Sequence, residues 1–266
     1  MVATQPTKRS LPQLTTALQV ASPILIIAIW WLWSESADSF FFPPLSEILS
    51  AFRENWLFER TTSDLVASLR RFGIGYVLSV VLGVGLGAVL GLSKTVARWT
   101  GPVVEFMRAL PPVALLPFTI VVVGIEDRGK VFLIVLGSIW PILLNAIDGM
   151  KGTEEEFIDA AKSYGARASD IFWTVRIPSA LPQIVAGMRS ALSIALILTV
   201  ISELFAATEG VGFFILQAQR NFDMPGMWSG MIMLSIVGFS LNALFSLGEK
   251  RVLRWYHLRA QRGNDS

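Results

Sequence analysis

The 266-residue chain contains no cysteine and one histidine, His257. The first absence removes disulfide frameworks, thiolate metal sites and thiol nucleophiles together, and the second leaves almost nothing for imidazole-based metal or triad chemistry. Enzymatic catalysis and a bound metal or cofactor are therefore not expected of this chain. Charge is also scarce: Asp, Glu, Lys and Arg make up 16% of residues against 53% hydrophobic ones, and the mean hydropathy is +0.58. A disordered chain needs the reverse balance. The 21 glycines and 13 prolines follow no period, which excludes collagen-like and low-complexity classes. A protein of the lipid bilayer remains. A net charge of +2 gives no reason to expect a nucleic-acid partner, so electrostatic meaning must lie in where the charges sit.

A hydrocarbon core about 30 Å thick takes roughly 20 residues of helix. Charge-depleted runs predict six such spans, at about 16–34, 72–93, 107–125, 131–147, 184–206 and 227–248. The expected fold is thus all-α, one polytopic transmembrane domain over residues 1–266. Pro111, Pro112 and Pro117 cluster in the third span, where the first proline can occupy an opening turn and the last should kink the helix. The fifth is a full span only if Arg189 and Glu203 face protein, water or the interfaces. Lys8, Arg9, Lys94, Arg98, the 151–176 loop and the C-terminal basic cluster fall on one side of this arrangement, and the sparser Arg53, Arg60, Arg128, Lys130 and Arg220 on the other. Both termini are then cytoplasmic. The competing reading of the first span is a secretory signal peptide. Its tryptophans, Trp30, Trp31 and Trp33, better suit an interfacial aromatic belt.

Two motifs imitate nucleotide sites. Gly124 to Val131 follows the phosphate-loop pattern until Val131, where a magnesium-binding hydroxyl is required, and it lies in a short interspan loop with no preceding strand. It reads as a tight turn with solvated charges. Gly83-Val84-Gly85-Leu86-Gly87-Ala88 lies inside a predicted span, and Gly83, Gly87 and Gly91 recur every fourth residue as a smooth ridge for close helix packing. His257 reads as a solvated residue of the basic tail.

The loop at 149–181 is more informative, and it reads as two short helices. Thr153 and Glu156 have capping-box spacing, and Glu154, Glu155 and Glu156 put negative charge in a first turn. Phe157, Ala160, Ala161 and Tyr164 follow at i, i+3, i+4 and i+7, and Gly165 stands where a C-terminal glycine belongs. A second segment, Ser169 to Ile177, is bounded by Pro178. Such a stripe either packs on the protein's own spans or docks in a groove of a cytoplasmic partner.

Asp159-Ala160-Ala161, three residues, Gly165, nine residues, Val175, one residue, Ile177-Pro178 resembles the EAA loop of ABC-importer permeases, with Asp, Val and Ile in place of Glu, Ile and Leu. Arg108-Ala109-Leu110-Pro111-Pro112, Ser202-Glu203 followed by Gly210-Val211-Gly212, and Glu249-Lys250-Arg251 with Arg254-Trp255 are similar to the nitrate/sulfonate/taurine branch. The resemblance implies the type I importer permease fold in a bacterial cell membrane. It also implies two permease copies forming one pathway, two cytoplasmic ATP-binding subunits that hold ATP and magnesium, and an external solute-binding protein. The coupling contact would fall on Glu156, Phe157, Asp159, Ala160, Ala161, Tyr164, Gly165, Arg167 and Pro178. Polar or helix-breaking groups at membrane depth tend to line cavities, which makes Arg108, Pro111, Pro112, Asn145, Arg189, Ser202 and Glu203 the pathway candidates. The substrate class implied is a small anion such as an alkanesulfonate, taurine or nitrate, with a thiamine or flavin precursor or another aromatic solute as the alternative. A secondary carrier working without an ATPase is the rival mechanism; it predicts mid-span ionisable residues and an internal repeat.

Overall fold

The computed structural model describes residues 12–36, 39–57 and 60–256, with side chains from residue 21 onward except Pro23. Lys8, Arg9, His257, Arg259 and Arg262 lie outside the described residues. Among those described, the backbone is helical, with one isolated bridge between Ser39 and Phe42. Helix α1 (Pro12–Ser36) leads to α2 (Leu45–Trp56), and a π turn at Thr61–Leu65 runs straight into α3 (Val66–Leu92). Then come α4 (Lys94–Ala109), a 3-10 turn (Pro112–Leu115), α5 (Leu116–Val122) and α6 (Asp127–Lys151). The chain continues as α7 (Glu155–Ser163), α8 (Ala168–Ile171), a second π turn (Phe172–Arg176), α9 (Ile177–Ala206), α10 (Val211–Arg220) and α11 (Met224–Val252).

Among the described residues, four continuous stretches are long and apolar enough to cross a bilayer: Thr61–Leu92, Asp127–Lys151, Ala168–Ala206 and Met224–Val252. They coincide with the second, fourth, fifth and sixth predicted spans, each extended. For the first span, the apolar helix with described side chains is Ile24–Ser36. The third needs correction. Residues 107–125 are not one helix, because α4 and the Pro112–Val122 segment meet at 90°. Proline drives the residue before it out of the helical region, and here two prolines act in succession. Leu110 is extended (φ −72°, ψ 126°), and so is Pro111 (φ −63°, ψ 118°). Pro117, expected to kink a helix, sits in the first turn of α5, where a missing N–H has no partner to lose.

The core is α3, α6 and α9. In lipid, helices gain little from burying apolar surface and associate by close packing instead. A Cβ on Gly83 would come within 2.9 Å of Ile142 Cβ, and one on Gly91 within 2.7 Å of Met150 Cβ; Gly87 faces Ala146 between them. This ridge sets α3 parallel to α6. Helix α9 runs antiparallel to α6 along matching contacts of Gly149 with Ala180, Asn145 with Gly187 and Gly137 with Leu198. Helix α11 flanks α9 at Gly238 and Leu196. At the far end, Trp56 of α2 donates its indole N–H to Ser229 Oγ of α11 (3.2 Å) and packs edge-on against Phe214 of α10.

Candidate functional site

Among the described residues, three places gather the polar groups of interest. At the α3 and α6 N-termini, the guanidinium of Arg71 is 2% exposed and is the hub of an ion-pair network. Its Nε donates to Asp127 Oδ1 (2.6 Å), Nη1 to Glu203 Oε1 (3.0 Å) and Nη2 to Glu209 Oε1 (2.9 Å). Glu203, 0% exposed, also accepts from Ser68 Oγ (2.8 Å) and from the backbone N–H of Gly212 (3.0 Å). Asp64 accepts from the Gly210 N–H at 2.8 Å. The network therefore ties α3, α6, α9 and the turn before α10 into one unit. Beside it opens a cleft of about 550 Å³ lined by Arg71, Glu126 to Arg128, Lys130 and Phe205 to Glu209.

This corrects three expectations. Glu203 and Ser202 do not line an open path: both are fully buried, and Ser202 Oγ donates to Thr199 O (2.8 Å). Only Gly124 to Glu126 of the phosphate-loop imitation form a turn, Asp127 to Val131 being the start of α6, and Lys130 is not solvated; it is buried, with Nζ donating to Ile125 O (3.0 Å). Arg71 is a site residue that the sequence does not single out. Its partners lie 56, 132 and 138 residues away, so no local pattern announces it.

The second place is the break between α4 and α5. Pro112 packs on Gly137 and on the Leu198 side of α9, about 15 Å along α6 from Asp127 at 1.5 Å per residue. Here a groove of about 450 Å³ opens, lined by Arg108, Pro112, Val113, Gly137, Trp140, Pro141, Leu144, Ile194, Ile197 and Leu198. Arg108 pairs with Glu105 on the preceding turn (2.9 and 2.6 Å). The groove thus gathers Arg108 and Pro112, with Pro111 at the break itself. Asn145 lies one turn beyond Pro141, donates to its carbonyl (2.8 Å) and accepts from Gln183 (3.0 Å). Arg189 is not among the residues that line this groove; it pairs with Glu249 of α11.

The third place is the α7 end. Helix α7 terminates in a left-handed Gly165 (φ +77°), with Gly165 N–H bonded to Lys162 O (2.9 Å) and Ala166 N–H to Ala161 O (3.1 Å). These two bonds are a Schellman stop. Ile158, absent from the predicted stripe, is the buried residue of α7, while Phe157 is 42% and Tyr164 92% exposed. Ala160 is exposed and Ala161 half-buried. Asp159 pairs with Lys162 (2.9 Å), and the Arg167 N–H is capped by Asp170 (3.1 Å). The expected Thr153–Glu156 box does not form. Helix α6 runs to Lys151, so Thr153 is drawn into the corner, buried, and Glu154 takes the cap position without a side-chain bond. Nor does Pro178 end the second segment. Residues Ala168–Ala206 form one continuous helix in which the π turn, closed by Ile177 N–H to Phe172 O, makes room for the proline ring.

Residues 79–254 match the family described as "Binding-protein-dependent transport system inner membrane component". The chain belongs to this family. The permease is 29% identical over 246 residues to the taurine transport system permease protein TauC of Escherichia coli (strain K12), covering 90% of each chain. It is 32% identical over 185 residues to the nitrate import permease protein NrtB of Synechococcus elongatus, covering 68% of this chain and 66% of that one. An inward-facing structure of the MetNI methionine ABC transporter has the same fold, with a TM-score of 0.63 at 20% identity over 71% of this chain and 94% of the other. The permease is accordingly an ABC-importer transmembrane component. All three polar places fall wholly or partly within the matched segment; Arg71, Ser68 and Asp64 precede it.

Proposed function

We propose that this permease forms half of the translocation path of an ATP-driven importer for a small anion, such as taurine, an alkanesulfonate or nitrate. A second copy completes the path, two cytoplasmic ATP-binding subunits drive it, and an external solute-binding protein delivers the solute. The observation that carries this reading is the groove at the broken helix. Discontinuous helices at mid-depth expose backbone groups and half-helix ends to a solute without exposing them to lipid. The charged residue lining that groove, Arg108, is a cation, which favours an anionic cargo. The relatives named for taurine and nitrate agree in kind.

The α7 end supports the coupling role. Phe157, Ala160 and Tyr164 turn outward, so of the two readings of the stripe, docking on a partner is the better supported. ATP binding would close the two ATPase subunits, draw the two α7 helices together and turn the path from inward-open to outward-open. Rigid packed helices switch between discrete arrangements rather than deforming smoothly. In this orientation both termini and α7 are cytoplasmic, and the Arg71 network lies at the outer mouth. Trp140 in the groove wall gives the alternative cargo, an aromatic thiamine or flavin precursor, a ring to stack on.

The test is reconstitution of the permease with its ATPase and binding protein in liposomes. Labelled taurine should accumulate only with ATP inside, and unlabelled sulfonate or nitrate should compete while thiamine does not. Gly165→Val forces a β-branched residue into a left-handed turn and should abolish uptake while leaving membrane insertion intact. Uptake by the permease alone would instead establish the secondary-carrier mechanism.

A further inference from the structure

Arg108, the charged residue lining the groove at the broken helix, does not stand alone. Its Nε (2.9 Å) and Nη2 (2.6 Å) both donate to a single oxygen of Glu105, Oε2. One edge of the guanidinium is thus engaged by half of the carboxylate. Nη1 of Arg108 and Oε1 of Glu105 have no partner among the described residues, and the two side chains are 45% and 61% exposed. The pair therefore presents an open cationic donor and an open anionic acceptor side by side. Three-residue spacing keeps both on one face of α4, so they travel together when that helix moves.

Depth gives this pair a meaning that a surface ion pair lacks. Trp140 lines the groove with Arg108 and stands near the middle of α6, which puts the groove at mid-depth. Net charge is costly there. Arg108 is the charged residue of the groove lining, and with Glu105 the site sums to zero. A simple anion such as nitrate would leave the site net negative. A solute that carries an ammonium beside its anionic group leaves it neutral, meeting Nη1 with one end and Oε1 with the other. Glu105 has no surplus cation to turn to instead. Beyond it lies a cleft of about 230 Å³ whose lining includes Glu105, Asp148 and Lys151, and there the charge of Lys151 is matched by that of Asp148. Trp140 adds an aromatic ring to the groove wall, and such a ring attracts a cation over its face.

We infer that Glu105 sets the charge type of the solute. The groove takes a small zwitterion, an ammonium joined by a short chain to a sulfonate or carboxylate, in preference to a simple anion, with the anionic group on Arg108 and the ammonium on Glu105. The inference rests on the transport reading proposed above and narrows its cargo. Of the solutes named there, taurine has this form, whereas nitrate and an unsubstituted alkanesulfonate do not.

Taurine and isethionate differ by an ammonium in place of a hydroxyl, which isolates the contribution of Glu105. The permease with its ATPase, held in lipid nanodiscs without the binding protein, would be loaded with labelled taurine and titrated with unlabelled taurine, isethionate or nitrate. Taurine is expected to bind about fivefold more tightly than isethionate or better, the upper range of a part-exposed charge pair. Glu105→Gln should erase this preference by weakening taurine, while isethionate binds as well as before or more tightly. A merely structural loss in Glu105→Gln would weaken both solutes alike and leave their ratio unchanged. Equal binding of the two by the unmodified permease, or the same ratio in Glu105→Gln, refutes the role of Glu105; the anion path still stands if Arg108→Gln weakens both. If Arg108→Gln leaves the binding of both unchanged, the solute path lies elsewhere and the inference falls with it. Absence of specific taurine binding to the unmodified complex overturns the inference as well.

Discussion

Arg71 offers the sharpest test of the physical account. Its side chain is almost fully enclosed, and so is that of Glu203, 3.0 Å away. Removing one member of a buried pair leaves the other charge without compensation and costs about 3–5 kcal/mol. Arg71→Met should therefore lower stability by that amount, because Glu203 keeps only Ser68 and the Gly212 N–H as donors. Asp127 and Glu209 also lose Arg71, but they are 37% and 45% exposed, and water takes over much of their solvation. Glu203→Gln is milder. It preserves volume but turns one acceptor into an NH₂ that must face either Arg71 or the Gly212 N–H, a loss of about 1.5–3 kcal/mol for a bond to a charged group. Combining the two removes both buried charges, so the double variant should recover about 1–3 kcal/mol relative to the sum of the singles. Thermal unfolding of the purified permease in detergent, followed by tryptophan fluorescence, reads these differences; a loss of 3–5 kcal/mol corresponds to a Tm about 6–20 °C lower in a chain of this size. A Tm for Arg71→Met within about 2 °C of the unmodified permease, or strict additivity in the double variant, refutes the buried-pair reasoning.

The glycine ridge makes a paired prediction in the same assay. Gly87→Leu drives a side chain into Ala146 and to within about 3.0 Å of the Leu143 carbonyl and should prevent correct α3–α6 packing, whereas Gly85→Leu, with nothing within 4 Å, should be neutral. Arg108→Gln should reduce anion uptake at least tenfold, with Arg108→Lys intermediate, because the groove loses its cation; unchanged transport would move the solute path elsewhere. Phe222 closes α10 in a left-handed conformation (φ 59°) that glycine adopts without cost, so Phe222→Gly should stabilise by about 1 kcal/mol, seen as a small rise in Tm.

How much of this was legible depended on the range of the physics involved. Spans and the glycine ridge are properties of a single helix, readable as a run of apolar residues and a four-residue period, and the described bundle contains the ridge and four of the six spans as continuous helices. The Gly165 stop was legible for the same reason. The 90° break was half legible: three prolines signalled a disturbance, but which one breaks the helix depends on the residue before it and on the space at Gly137. The Thr153 box failed because the preceding helix ran four residues further than hydropathy suggested and consumed the cap. Least legible was the role of Glu203. A carboxylate near a span end reads equally as path or as cap, and what decides it is a guanidinium 132 residues earlier in the chain.

The three polar places share one element, and that gives the transport reading its mechanical sense. Helix α9 begins at the α8 turn, passes the groove with Ile194, Ile197 and Leu198, and ends at Glu203 inside the Arg71 network. Contacts of Gly149 with Ala180 and of Asn145 with Gly187 hold it against α6 along the way, too closely for sliding without a wholesale change of register. A displacement applied at one end is therefore conserved along the rod rather than dissipated in side-chain rearrangement, because close-packed interiors transmit strain. The break between α4 and α5 is where the surrounding structure is least committed. No residue of α4 is buried, so within this chain little packing opposes a shift of that helix past the neighbouring half of α6. A stiff α3–α6–α9 unit beside a loosely held, discontinuous α4–α5 pair is an arrangement in which the groove wall, and with it Arg108, moves while the scaffold does not.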